Sequence, residues 1–299
     1  STLAWVGAHG EQRINRKIPR FVTLHRPQSL LPGWGHVTAF DVEADGLLVA
    51  FTDGVDECHY GTPRTSVRGR HRADLFREVG PDPRGFAERL ARLAHHLSAR
   101  FVHLSSEQVF DGARPPYFPT DPTTPLNLYG RQKAESEERV HAAAPESAVT
   151  LRLPLLNGNA LSGRRSLHER LFTQWASGQP ARLFSDEIRQ PAGADNVAEV
   201  VVELCERTDL NGIHHWAGAE PVSRYHLGRR ILKRFGLPED LVVASVRSEV
   251  PGGTDRPANL SLDLSSLAGI LKTPVESLED QIRRLKVPAP HRDWFHAQP

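Results

Sequence analysis

Three side chains in this sequence are of types that together reduce a carbonyl group: Ser106, Tyr129 and Lys133. Tyr129 and Lys133 stand four residues apart in LNLYGRQKAE (126–135), at the start of a run rich in Ala, Glu, Lys and Arg that meets no proline until Pro145. That run predicts a helix over 131–143 with both residues on its first turns. A spacing of four places them on one helical face. An ammonium beside a phenol stabilises phenolate, which makes the phenol a usable proton donor near neutral pH. The same spacing also suits an ordinary surface pair, and only the surrounding fold separates the two readings.

FVHLSSEQVFDG (101–112) reads as a strand ending in Ser105 and Ser106, and a proline-rich loop leads from it back to Tyr129. Ser106 would then hydrogen-bond the carbonyl oxygen and Tyr129 deliver the proton. Lys133 would lower the phenol pKa and hold the nicotinamide ribose.

The elements that must position these groups follow an α/β rhythm. Short apolar runs at 3–7, 21–25, 47–51, 101–105 and 149–153 predict strands, and 85–99 predicts an amphipathic helix with Phe86, Leu90, Leu93 and Leu97 on its stripe. This is a Rossmann-type, doubly wound parallel sheet, expected over residues 1–153. Residues 154–299 are expected to form a smaller α/β substrate lobe, some elements of which return to the sheet. Helices are predicted at 166–176, 195–207, 222–235 and 274–285, with a strand at 212–218. Ligands of such sheets sit beyond the carboxyl ends of the strands.

Composition narrows the function classes. The 37 basic and 36 acidic residues leave a net charge of +1, which is no footprint for nucleic acid. No apolar run approaches the roughly 20 residues that span a bilayer. Cys58 and Cys205 form no CxxC, so neither a disulfide framework nor a zinc site is expected, and the reading is cytoplasmic. His95 and His96 are helix neighbours and His214 and His215 strand neighbours. Each pair points apart, and no metal is expected. Trp294 and Phe295 read as packing that ties down the last segment.

The motifs SSEQVFDG, PLNLYGRQKAESE, AVTLRLPLLNGN and RPANLSLDLSSL (256–267) occur in an order that resembles the extended short-chain dehydrogenase/reductase superfamily. Within it they are similar to the branch of dTDP-4-dehydrorhamnose reductase and the regulatory beta subunit of methionine adenosyltransferase. The resemblance runs over about residues 85 to 285. It implies NADP(H) or NAD(H) as cofactor, Ser106, Tyr129 and Lys133 as the catalytic set, Ser105, Pro154 and Leu155 near the nicotinamide, and Asp41 at the adenine. It also implies Glu107, Gln108 and Arg256 on the substrate side, with a keto nucleotide sugar as substrate and a homodimer or a regulatory partner as the assembly.

The sequence departs from that pattern in places. The first strand is followed by Gly7 and Gly10, but Arg13 stands where the third glycine of a GxxGxxG loop belongs, and the helix expected after that loop is short, with Pro19 and the next strand at Phe21 close behind. His25 and Arg26 replace the acidic residue that selects NAD, and Arg26 would favour a 2′-phosphate. Glu107 and Gln108 replace an Asp-Tyr pair, Leu155 replaces a tryptophan, and the asparagine of the proton relay is not recognisable in VGPDPRG (79–85). The sequence therefore supports two expectations: a reductase, or a non-catalytic nucleotide-binding regulatory protein with an altered cofactor loop.

Overall fold

The structure, a computed structural model, describes residues 2–7, 10–17, 47–50, 83–96, 98–160 and 163–298. In chain order the elements are β1 (Thr2–Gly7), β2 (Gly10–Lys17), β3 (Leu47–Ala50), α1 (Pro83–His96), β4 (Arg100–Ser106), α2 (Leu128–Ala143) and β5 (Ala148–Leu153). There follow β6 (Leu156–Asn157), α3 (Leu167–Ala176), β7 (Ala181–Phe184), β8 (Ile188–Arg189), β9 (Ala192–Gly193), α4 (Ala194–Glu206) and β10 (Gly212–His215). The last are β11 (Val222–Ser223), α5 (Arg224–Phe235), β12 (Val242–Ser245), α6 (Leu278–Arg283) and α7 (Arg292–His296). The chain forms two compact units, one of residues 1–105, 131–151 and 204–213, the other of 106–130, 152–203 and 214–299.

The first unit carries a four-stranded sheet in the order β10-β5-β4-β3, with β3 and β4 parallel and Ala50 opposite His103. Every residue of β4 and of β5 is buried, as expected of strands covered on both faces. The α1 stripe meets them through Ala87, Leu90, Ala91 and Ala94, packed with Phe101, Val140 and Ala148. Small residues on that face let helix and sheet approach closely. Arg100 is also buried, its guanidinium donating to the carbonyls of Leu204 (3.2 Å), Arg207 (3.1 Å) and Leu210 and to Asn211 Oδ1. One charge thereby closes the C-terminal end of α4 and the turn after it, where orphan carbonyls need donors.

At the start of the chain one expectation is corrected. β1 is a strand, but the residues after it form β2, paired antiparallel with Gly7 opposite Gly10, where a glycine turn into a helix was expected. Gly10–Lys17 (GEQRINRK) has Ile14 as its one apolar side chain, so it offers no stripe to bury as a helix. Residues 21–25, Arg26 and Asp41 lie outside the described residues.

The second unit is built on α3, α5 and α6. Phe172, Trp175, Leu227, Ile231, Leu278 and Ile282 form its core, with Trp294 and Phe295 packed against it. Trp294 stands edge-on to Phe172 at 6.0 Å, which is the tail packing expected of it. Ser223 caps α5 through the His226 amide, and Gly236, at φ 66°, ends it in the left-handed conformation that glycine adopts without strain. Two-stranded pairings β6·β9, β8·β11 and β7·β12 edge this unit.

Candidate active site

Ser106 ends β4. Its hydroxyl accepts from the Gln108 amide at 3.2 Å, starting a single 3₁₀ turn over Glu107–Val109. Ser105, one residue earlier, is buried, and its hydroxyl has no partner among the described residues.

The turn after Ser106 is fixed to the start of α2. Asn127 donates through Nδ2 to Gln108 Oε1 (3.0 Å) and accepts through Oδ1 from the Gly130 amide (2.8 Å), so one side chain both caps the helix and holds the turn. A Cβ at Gly130 would lie 2.1 Å from the Gln108 carbonyl oxygen, so only glycine allows this approach. Ser106 and Tyr129 are held together as parts of one locally bonded assembly. Asn127→Ala is expected to lower stability by about 1 kcal/mol in urea titrations, the usual worth of a cap. An unchanged midpoint would remove this account of the helix start.

Tyr129 is 36% exposed and lies among the exposed Leu126 and Leu128, so its phenol can be reached from outside. Lys133, one turn later on the unbroken helix, is 1% exposed and donates to the Leu104 carbonyl at 3.3 Å. Nearby runs a chain that the sequence reading missed. His103 of β4 meets Thr150 Oγ1 through Nδ1 (3.3 Å) and Ser136 Oγ through Nε2 (3.2 Å), and His141 Nε2 meets the same Thr150 hydroxyl at 2.9 Å. Burial, the Lys133 charge and His141 hold the His103 pKa well below the ordinary histidine value, so the ring is neutral. The available signal was strand alternation, which puts His103 and Ser105 on the same face of β4.

Glu107, Gln108 and Arg256, expected on the substrate side, are each engaged by another side chain of the protein. Gln108 is taken up by Asn127. Glu107 is buried against Arg189, with 3.2 Å between Oε1 and Nε, and its Oε2 is unsatisfied. Arg256 binds Glu187 at 2.6 and 3.1 Å, and Arg224 binds the same carboxylate at 3.0 Å. Arg189 completes the set at 3.3 Å from Glu187. The two carboxylates are driven apart. Burial pushes Glu107 up to about 8, against the pull of Arg189 and Arg224. Burial also opposes the charge of Glu187, but the hydrogen bond from Arg256 and the three guanidiniums outweigh it and bring that group down to about 2. Glu187 and Arg189 alternate on one short segment; nothing local announced that Glu107 and Arg256 would join them.

Pro154 and Leu155 follow β5. Pro154 is buried, and Leu155 packs on the core of the second unit with its carbonyl accepting from the Ala192 amide at 3.1 Å. Among the described residues no helix is long and apolar enough to cross a membrane.

Residues 84–287 match the RmlD substrate binding domain family. The chain belongs to this family. It is 34% identical over 186 residues to methionine adenosyltransferase 2 subunit beta of Xenopus laevis, covering 60% of this chain and 55% of that protein. The chain thus spans little more than half the length of the methionine adenosyltransferase subunits it matches. A probable low-salt glycan biosynthesis reductase of Haloferax volcanii is 28% identical over 255 residues, 83% of this chain and 78% of that one. Among solved structures, a dTDP-4-dehydrorhamnose reductase of Yersinia enterocolitica superposes with a TM-score of 0.61 at 20% identity, over 75% of this chain and 78% of that chain. One from Clostridium acetobutylicum gives 0.56 at 23%, over 66% and 68%. The fold is accordingly the Rossmann-like α/β fold that the strand and helix rhythm implied, and the resemblance to the reductase branch holds.

Proposed function

We propose that this RmlD-family chain is an NAD(P)H-dependent carbonyl reductase acting on a keto sugar. The tie between the Ser106 turn and the first turn of α2 carries the reading, because it places a hydroxyl and a solvent-reachable phenol in one rigid assembly. Ser106 polarises the substrate carbonyl and Tyr129 gives it the proton, while the buried Lys133 favours the phenolate left behind. The cofactor supplies hydride to the carbonyl carbon. Support for NADP comes from a dTDP-4-dehydrorhamnose reductase of Bacillus anthracis, solved in complex with NADP, which has this fold. Arg26 is proposed as the 2′-phosphate contact, Gly7 and Gly10 as the pyrophosphate approach, Asp41 as the adenine contact, and Ser105, Pro154 and Leu155 as the nicotinamide side. Arg256, engaged by Glu187, is half exposed and is assigned to the substrate side together with Glu107 and Gln108. A nucleotide sugar is the finer substrate assignment.

A second reading, a non-catalytic regulatory subunit, is favoured by the β1–β2 hairpin at Gly7 and Gly10, where a reductase needs a strand, a turn and a helix. It agrees with the similarity to a methionine adenosyltransferase subunit. Tryptophan-to-nicotinamide energy transfer on titration with NADPH separates the two. Saturation below millimolar cofactor, followed by ketone-dependent NADPH oxidation, is expected of the reductase. Saturable binding without oxidation of NADPH by any keto sugar tested would establish the regulatory reading instead.

A further inference from the structure

A buried carboxylate fixes the loop that leads into α3. Glu169, 2% exposed, accepts from the Ala160 amide through Oε1 at 2.7 Å and from the Arg165 and Ser166 amides through Oε2 at 2.8 and 3.0 Å. Its charge is thus used within the protein, and the backbone beside Arg164 is held. Farther along the same helix, Arg170 and Thr173 stand three residues apart and share a face. The Thr173 hydroxyl donates its one proton to the Glu169 carbonyl at 3.0 Å, so toward His291 Nε2, at 2.9 Å, it can only accept. That bond ties the residues before α7 to α3.

Between these parts lies an open pocket of about 330 Å³, lined by Arg164, Arg170, Thr173, Pro290 and His291. We propose that it binds a phosphate group, either of inorganic phosphate or of a small phosphate ester.

Charge is the first argument. Exposed arginines elsewhere lie against carboxylates: Arg207 against Asp209 at 2.7 Å, Arg230 against Glu220 at 2.9 Å and Arg283 against Asp280 at 2.9 Å. Arg164 and Arg170 have no such partner among the described residues, and none of the residues lining the pocket is acidic. Two guanidiniums therefore present their N–H forks together, in the planar arrangement that matches pairs of phosphate oxygens. A phosphate dianion would balance both charges.

Space and rigidity are the second. The volume stands at the lower end of the range of small-molecule sites, about 300 to 1,000 Å³, which leaves room for a small organic group beside the phosphate. Both walls are anchored before any ligand arrives, one by Glu169 and the other by the Thr173–His291 bond, so little ordering remains to be done on binding. The family match ends at residue 287, so Pro290 and His291 supply a wall from beyond the matched segment. No residue is shared with Ser106, Tyr129 and Lys133, and the site stands apart from the reductase reading.

The test is calorimetric titration of the full chain with inorganic phosphate and, separately, with glycerol 3-phosphate, at an ionic strength held constant with chloride. Saturable binding to one site is expected. Arg164→Gln and Arg170→Gln should each weaken it about tenfold, as loss of a charge-assisted hydrogen bond does, and the double variant should not bind. Both side chains are exposed and unpaired, so the urea midpoint without ligand should match wild type; phosphate should raise that midpoint in the wild type and leave it unmoved in the double variant. Tighter binding of the ester would assign the remaining space to its organic part, and equal binding would assign the site to free phosphate; both outcomes support the proposal. Wild-type affinity in the double variant, or no saturable binding of either probe to the wild type, would overturn it.

Discussion

Tyr129→Phe is expected to cut ketone reduction by ~10²–10⁴-fold, the usual worth of a positioned proton donor, with NADPH affinity within about twofold of wild type. The substitution removes one oxygen from an exposed ring and leaves the Asn127 cap, the Gly130 approach and the buried Lys133 as they are. Stability should therefore hold, which isolates chemistry from folding. Retained kcat in the variant, measured as substrate-dependent loss of nicotinamide absorbance, would move the proton donor elsewhere.

The second large effect lies at Arg189. This guanidinium joins two buried carboxylates, and breaking a buried pair by removing one member costs about 3–5 kcal/mol because the other charge is stranded. Arg189→Met is expected to lower stability by about that much in urea titrations, and adding Glu107→Gln should recover part of it. The pH dependence has a definite sign. In the wild type, Glu187 titrates below its ordinary value, so its contribution is complete above about 4.5 and fades as pH falls toward about 2. Glu107 titrates above its ordinary value, so its contribution is complete below about 4.5 and fades as pH rises toward about 8. Without Arg189, Glu107 has lost a cation that lowers its pKa, so the deficit of the variant should stay level between pH 5 and pH 7 and widen as pH rises through about 8, where the wild-type group ionises and the variant's does not. A deficit that already widens between pH 5 and pH 7 would show that Glu107 is charged in the wild-type fold well below pH 8.

Legibility in the sequence tracked the distance over which a feature is determined. Helices at 167–176 and 194–206 and strands at 100–106 and 148–153 were readable from local runs and periods of apolar residues, and the helix at 128–143 from its run of strong helix formers. Tyr129 and Lys133 were readable because their spacing of four makes them neighbours on that last helix. The cluster of Glu107, Glu187, Arg189, Arg224 and Arg256 draws on residues far apart along the chain, and nothing in the neighbourhood of any one of them announces the others. The His103 chain uses three elements, and its hydroxyls are common residues in unremarkable places. Gly130 gave no signal because what demands a glycine there is a carbonyl from the turn after Ser106. At Gly10–Lys17 the expectation of a helix followed the glycines and overlooked how few apolar residues came after them.

The cage around Arg100 bears on how the protein is made. Its carbonyl acceptors at Leu204, Arg207 and Leu210 are synthesised more than a hundred residues after the arginine itself. Until that stretch has left the ribosome, the Arg100 guanidinium has only the distant Ser147 carbonyl, at 3.5 Å, to donate to, and the β5 edge of the sheet has no β10 beside it. The nascent amino-terminal half must therefore wait, incompletely closed, while most of the second unit is already being translated.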